Sequence, residues 1–130
     1  MTQPVLKIML VDDIIMNRKL LAAIIKKIIP QAALVEAEDG GQALSLFRQD
    51  AFTMILMDIQ MPVMDGIEAT ICIRAHEKEH KLKPTPIIAI TAGAFAGGKN
   101  RCLQAGMNAY LTKPIDTKAF HTLLKSYLIF

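Results

Sequence analysis

The chain has 130 residues, 52% of them apolar and 21% charged, with a formal net charge of +3. That is material for one domain with a real core, and it excludes intrinsic disorder. Scattered Lys and Arg with few aromatic residues argue against a nucleic-acid surface, no apolar run approaches bilayer length, and Met1-Thr2-Gln3-Pro4 lacks the charged and apolar regions of a signal peptide.

Val5 to Val11 reads as a strand, apolar except for Lys7, and it ends in Asp12-Asp13. Ile15 to Ile28 reads as a helix that Pro30 stops. Met16, Leu20, Ile24 and Ile28 fall on one stripe, with Arg18, Lys19, Lys26 and Lys27 on other faces. Ala33 to Ala37 is a short second strand. Gly40-Gly41 reads as a turn, after which Ala43, Leu44 and Phe47 mark the core side of a second helix. Met54 to Met57 is a buried strand that stops at one carboxylate, Asp58. Pro62 and Asp65-Gly66 mark a turn, and a third helix runs from Gly66 to His76 or a little beyond. The charged stretch from His76 to Pro86 carries two prolines and reads as a loop. Ile87 to Ile90 is a fourth strand ending at Thr91. Gly93, Gly97 and Gly98 specify little, so a fourth helix is short and ends before Gly106 in a glycine-terminated cap. About Asn108 to Leu111 is a fifth strand, followed by Thr112, Lys113 and Pro114. Asp116 reads as the N-cap of a fifth helix, with Phe120, Leu123, Leu124, Tyr127 and Leu128 at helical spacing. Cys72 and Cys102 fall in helices without metal-ligand spacing and read as reduced thiols.

Apolar strands alternating with helices argue for a parallel sheet buried on both faces. Open sheets of this kind bind ligands at the carboxyl ends of their strands. Four strands here end in polar residues of complementary chemistry. One site holding three acids, a hydroxyl and an ammonium is the simplest account of them.

The ordered set Asp12-Asp13, Asp58 with Met61-Pro62 and Asp65-Gly66 behind it, Thr91-Ala92, and Tyr110 upstream of Lys113-Pro114 resembles the receiver domain of two-component response regulators. The resemblance runs from about Leu6 to about Leu124. It implies a flavodoxin-like, doubly wound, five-stranded parallel sheet of order 2-1-3-4-5 with five helices, residues 1–130 forming a single receiver domain. It implies that Asp58 is the phosphoacceptor, taking a phosphoryl group from the phosphohistidine of a histidine kinase or histidine phosphotransfer domain. Asp13 and Asp58 would bind Mg²⁺ directly, the Gln60 backbone carbonyl would add a ligand, and Asp12 would act through water. Lys113 and Thr91 would meet phosphoryl oxygens, with backbone N–H groups including that of Ala92. Tyr110 would be the switch aromatic, Lys113-Pro114 would be cis, and Gln60 and Gly93 would flank the path of hydrolytic water, Gly93 leaving it open. The face made by the fourth helix, fifth strand and fifth helix would signal to a partner or a second copy, with no direct role for nucleic acid or membrane. Such a chain catalyses its own phosphoryl transfer and dephosphorylation. It would work in the cytoplasm, free-standing or as the cytoplasmic part of a membrane-bound hybrid kinase. The long His76 to Pro86 loop resembles those of hybrid kinases.

Each residue alone has a plainer reading: capping for Asp12 and Asp13, strand-end placement for Thr91, a solvated surface for Lys113, packing for Tyr110. Gly93 to Asn100 matches G-x-x-x-x-G-K of a nucleotide-binding P-loop, but Asn100 offers no hydroxyl for Mg²⁺ and the reading leaves Asp12-Asp13 and Lys113 unused. An aspartyl phosphatase commonly needs a second acid two residues on, where Gln60 stands. A degenerate receiver serving only as a docking module is a third reading, opposed by the intact acid, Thr and Lys set. His76 and His80 have helical metal-ligand spacing without an evident third ligand, which favours a solvated helix end.

Overall fold

The computed structural model describes residues 6–61, 64–92 and 98–130. Val5, the turn at Pro62 and the loop glycines Gly93 and Gly97 lie outside the described residues. Five strands, β1 (Lys7–Val11), β2 (Ala33–Ala37), β3 (Met54–Asp58), β4 (Ile87–Thr91) and β5 (Ala109–Thr112), alternate with five helices. These are α1 (Ile15–Ile28), α2 (Gly40–Gln49), α3 (Gly66–Glu79), α4 (Gly98–Ala105) and α5 (Thr117–Tyr127). The strands form one parallel sheet in the order β2-β1-β3-β4-β5, the expected flavodoxin-like topology.

Side chains alternate across a strand, and each strand of the sheet's centre is apolar on both sides. Met9, Val11, Ile55, Met57, Ile87 and Ala89 pack against Ala43, Phe47, Ala69, Ile73 and Cys102 of α2, α3 and α4. Ile8, Leu10, Met54, Leu56, Ile88 and Ile90 pack against Ile25, Phe120 and Leu124 of α1 and α5. Helices cover both faces of the sheet and leave the carboxyl ends of β1, β3, β4 and β5 along one rim.

The helix starts follow their caps. Asp65 Oδ1 accepts the Glu68 N–H at 2.8 Å, and Asp116 Oδ1 accepts the Lys118 N–H at 3.0 Å, as its sequence position implied. Gly40-Gly41 is not a turn. Both residues open α2 behind Asp39, whose Oδ1 accepts the Gln42 N–H at 2.8 Å. Gly40 is required by a distant contact: a Cβ there would lie 2.5 Å from the Met64 carbonyl oxygen, to which the Gly40 N–H donates at 3.1 Å. Helix α3 runs three residues past His76, into charged sequence, because Glu77 is buried and paired with Arg74. Gly106 ends α4 with φ +110°, the left-handed cap its position implied.

The expected stripe of α1 holds at Ile24 and Ile28, which pack against the core, and departs in its first half. Met16 and Leu20 are 71% and 64% exposed, while Arg18 is 6% exposed. Helix α1 turns Arg18 and Ile25, seven residues apart, toward the sheet and leaves Ile15, Met16 and Leu20 in solvent.

Candidate functional site

The chain reaches one rim of the sheet at four strand ends. β1 runs into Asp12 and Asp13, β3 ends in Asp58, β4 in Thr91, and β5 leads to Lys113. Val11 pairs with Met57, Asp58 with Ile90 and Thr91 with Thr112, so parallel register brings the four ends level. The residues predicted from strand ends are thereby brought together, from positions as far apart as 101 residues.

One carboxylate oxygen from each of Asp12, Asp13 and Asp58 lies within 4.8 Å of the others. Asp12 and Asp58 are buried and Asp13 is exposed. Lys113 Nζ donates to Asp12 Oδ2 at 2.9 Å and stands 3.8 Å from Asp58 Oδ2. The Gln60 N–H donates to Asp58 Oδ1 at 3.1 Å. Asp12 Oδ1 accepts the Ile14 N–H at 2.9 Å, which fixes that carboxylate at the entrance to α1. Thr91 is fully buried, and its carbonyl accepts the Lys113 N–H at 2.7 Å, so β4 aims the lysine. The Lys113–Pro114 bond is cis, as expected.

Burial pushes the Asp58 carboxyl up to about 6, with the neighbouring Asp12 and Asp13 charges adding to the rise. The Gln60 N–H and Lys113 oppose it without cancelling it. Asp58 is therefore a carboxylate that gains from a positive partner. Three acids and one lysine leave surplus negative charge, and all-oxygen donors of this kind suit a hard divalent cation. The donor set fits a metal ion.

Gly66 brings the N-terminus of α3 against the end of β3. A Cβ on Gly66 would lie 2.3 Å from the Asp58 carbonyl oxygen, so no larger residue fits without moving the strand end. Arg18 is a second contributor, which the sequence reading placed off the apolar stripe of α1. Its Nη1 donates to the Asp12 carbonyl at 2.7 Å and its Nε to Glu36 Oε1 of β2 at 2.8 Å. Its heptad spacing from Ile25 was the available signal.

The sequence profile of the response regulator receiver domain matches residues 8–125. The chain belongs to this family. It is 44% identical over 120 residues, 92% of its length, to the signal transduction histidine-protein kinase BarA of Escherichia coli (strain K12), of which those residues are 12%. It thus spans a small part of that relative's length. The receiver domain of the sensor histidine kinase PA1611 of Pseudomonas aeruginosa PAO1, solved with magnesium coordinated in its active-site cleft, matches with TM-score 0.81 and 35% identity, covering 95% of this chain and 98% of that one. A chain of the co-crystal structure of Saccharomyces cerevisiae Ypd1, a histidine phosphotransfer protein, with the receiver domain of Ssk1 matches with TM-score 0.86 and 28% identity, over 98% and 91%.

The remaining predicted residues of this receiver domain are placed as follows. Tyr110 is half-buried against the cluster that includes Ala89 and Cys102. Gln60 is exposed at the rim, and Gly93 lies outside the described residues. The nucleotide-binding reading gives way to the family assignment. His76 and His80 rings lie 4.2 Å apart, with His80 Nδ1 at the His76 carbonyl, but among the described residues only the Asp trio groups three metal-binding side chains. Among those residues, too, no helix is long and apolar enough to cross a membrane.

Proposed function

We propose that Asp58 is the phosphoacceptor of a phosphorelay and that Mg²⁺ is the resident cation. The observation that carries this is a carboxylate buried at the end of the central strand, grouped with Asp12 and Asp13 and 3.8 Å from Lys113, which also pairs with Asp12. Asp13 and Asp58 would hold the ion with the Gln60 carbonyl, and Asp12 through water. The ion would supply neutralisation of the acids and of the phosphoryl oxygens.

An Asp58 oxygen attacks phosphorus as the P–N bond of a phosphohistidine breaks, its electron pair returning to the imidazole. Lys113 takes a phosphoryl oxygen, and the Thr91 hydroxyl and the Ala92 N–H take others. The same carboxylate later loses phosphate to water, so turnover is the domain's own. Thr91 drawn toward Asp58 frees space beside Tyr110, and the α4–β5–α5 face changes for a partner or a second copy.

The donor is a histidine kinase or a histidine phosphotransfer domain. It supports this that Ile14, Ile15, Met16 and Leu20 are exposed together beside the acids. A cleft of about 500 Å³ runs from there between α1 and Ile115 to Asp58 and Lys113. An apolar partner face seated on α1 brings its phosphohistidine to Asp58. Phosphohistidine donors and Mg²⁺ place the domain in the cytoplasm, as part of a hybrid kinase or alone, with residues 1–130 as the functional unit.

Intact-mass spectrometry with acetyl phosphate and Mg²⁺ tests the assignment. The parent gains one phosphoryl group and Asp58→Asn gains none; equal labelling of both overturns it. A parent that never labels, with Mg²⁺ bound, favours the docking-module reading.

A further inference from the structure

We infer that Arg18 is a positioning residue for the acid pair, pinning the peptide plane that joins Asp12 to Asp13 and so presenting both carboxylates to the cation. The inference rests on the receiver reading and adds to it a side chain outside the acid, Thr and Lys set.

The oxygen that Arg18 Nη1 holds at 2.7 Å is the carbonyl of Asp12. That carbonyl belongs to the peptide bond between the two acids. A trans peptide is a rigid plane, with the two Cα atoms about 3.8 Å apart. On its other side Asp12 donates its own N–H to the Ala37 carbonyl at 3.2 Å. Arg18 thus fixes the second of the two planes flanking Asp12. Asp13 depends on it most. Its side chain is exposed and forms no hydrogen bond among the described residues, so the backbone alone sets its direction.

Arg18 itself is held by a second grip, Nε on Glu36 Oε1 at 2.8 Å. Lys19 Nζ holds the other oxygen of Glu36 at 2.8 Å. Glu36 therefore stays ionised, and it offsets the guanidinium charge close to a site meant for a cation. The planar guanidinium holds a carbonyl and a carboxylate in one fixed geometry, which an ammonium on its flexible stem does not impose. Stability alone gives little reason for the charge. Glu36 is only partly buried, and an ion pair of this kind is weak evidence for a role in stability. Groups that orient metal ligands, by contrast, typically alter affinity by about 10–100-fold when removed.

The test measures Mg²⁺ affinity by calorimetry and, separately, the urea midpoint without metal. Arg18→Leu is expected to raise the Mg²⁺ Kd at least about tenfold. Arg18→Lys keeps the charge, reaches one acceptor, folds if the Leu variant does not, and is expected to fall between. Arg74→Leu removes a hydrogen-bonded arginine at the far end of the sheet; it lowers the urea midpoint and leaves the Kd as in the parent. The inference is overturned if both Arg18 variants bind Mg²⁺ within twofold of the parent, or if Arg74→Leu weakens binding as much as they do. A parent that neither binds Mg²⁺ nor labels at Asp58 overturns the receiver reading itself.

Discussion

Two arginine networks occupy opposite ends of the sheet, and they follow different rules. At the amino ends of β4 and β5, Arg74 donates to the Gly106 carbonyl at 2.9 Å, to Asn108 Oδ1 at 2.9 Å and to Glu77 Oε1 at 2.7 Å. Buried Glu77 also accepts the Thr85 N–H at 2.7 Å, and Asn108 Oδ1 accepts the Ile87 N–H at 2.9 Å. Charge is matched there, and the network ties α3 to the first residues of two strands. At the carboxyl ends, Asp12 and Asp58 share Lys113 with Asp13 beside them, and Arg18 grips a carbonyl and Glu36 instead of a site carboxylate. One end anchors the fold. The other keeps unbalanced charge in place, a stability cost of the kind found at functional sites.

Breaking the anchoring end is expected to have the largest effect. Glu77→Leu leaves the Thr85 N–H without its acceptor and the Arg74 charge without its counter-ion, and urea unfolding should show a loss of about 3–5 kcal/mol. Phosphoryl labelling of the folded fraction should match the parent.

Relieving the charged end should act in the opposite direction. Asp58 rises to about 6 in the fold, against roughly 3.9 in an unfolded chain. Between those values the native state binds the proton that the unfolded chain has released. The contribution of Asp58 is then fully present below about pH 4 and lost as pH rises through 6. Without metal at pH 7, Asp58→Asn should be more stable than the parent by up to about 3 kcal/mol. That advantage should vanish at pH 4, and Mg²⁺ should narrow it at pH 7 by stabilising the parent. Urea midpoints at both pH values decide the sign, and an Asn variant weaker than the parent at pH 7 would count against surplus charge.

Gly66→Ala strikes the seam between α3 and the site. Its Cβ would fall 2.3 Å from the Asp58 carbonyl oxygen, and overpacking of this kind costs about 1–3 kcal/mol. Labelling of the folded fraction by acetyl phosphate should also slow, because the displaced atom belongs to Asp58. The smallest stability effect is expected on the outer face of α1. Met16→Ser with Leu20→Ser should stay within about 0.5 kcal/mol of the parent in urea. The pair should slow transfer from a phosphohistidine protein while leaving acetyl phosphate labelling unchanged. Equal slowing with both donors would remove α1 as the docking face.

The strand ends were legible because each signal is local: an apolar run, then Asp12-Asp13, Asp58, Thr91 or Lys113. Helix α1 was not, because it is apolar on too many sides. Ile15, Met16, Leu20, Leu21, Ile24, Ile25 and Ile28 make two stripes, and periodicity does not choose between them. The choice falls to Arg18, whose partners at Asp12 and Glu36 lie on β1's end and on β2. Gly40 misled for a related reason: its requirement comes from Met64, 24 positions on. The charged residues after His76 read as loop because Glu77 is buried only through Arg74 and Thr85. Where a residue's role depends on a partner distant in sequence, neighbours alone do not reveal it.

The ion pair between Asp12 and Lys113 spans 101 residues of chain, and Asp58 sits between them on a strand that pairs with β1 only after the chain has crossed through β2. Contacts of such long separation form late, since loop closure must come before they reward it. The acid site thus depends on contacts distant in sequence, whereas each helix rests on local ones. If Asp58 is the phosphoacceptor proposed above, labelling it would also report that the ends of β1, β3 and β5 have come together.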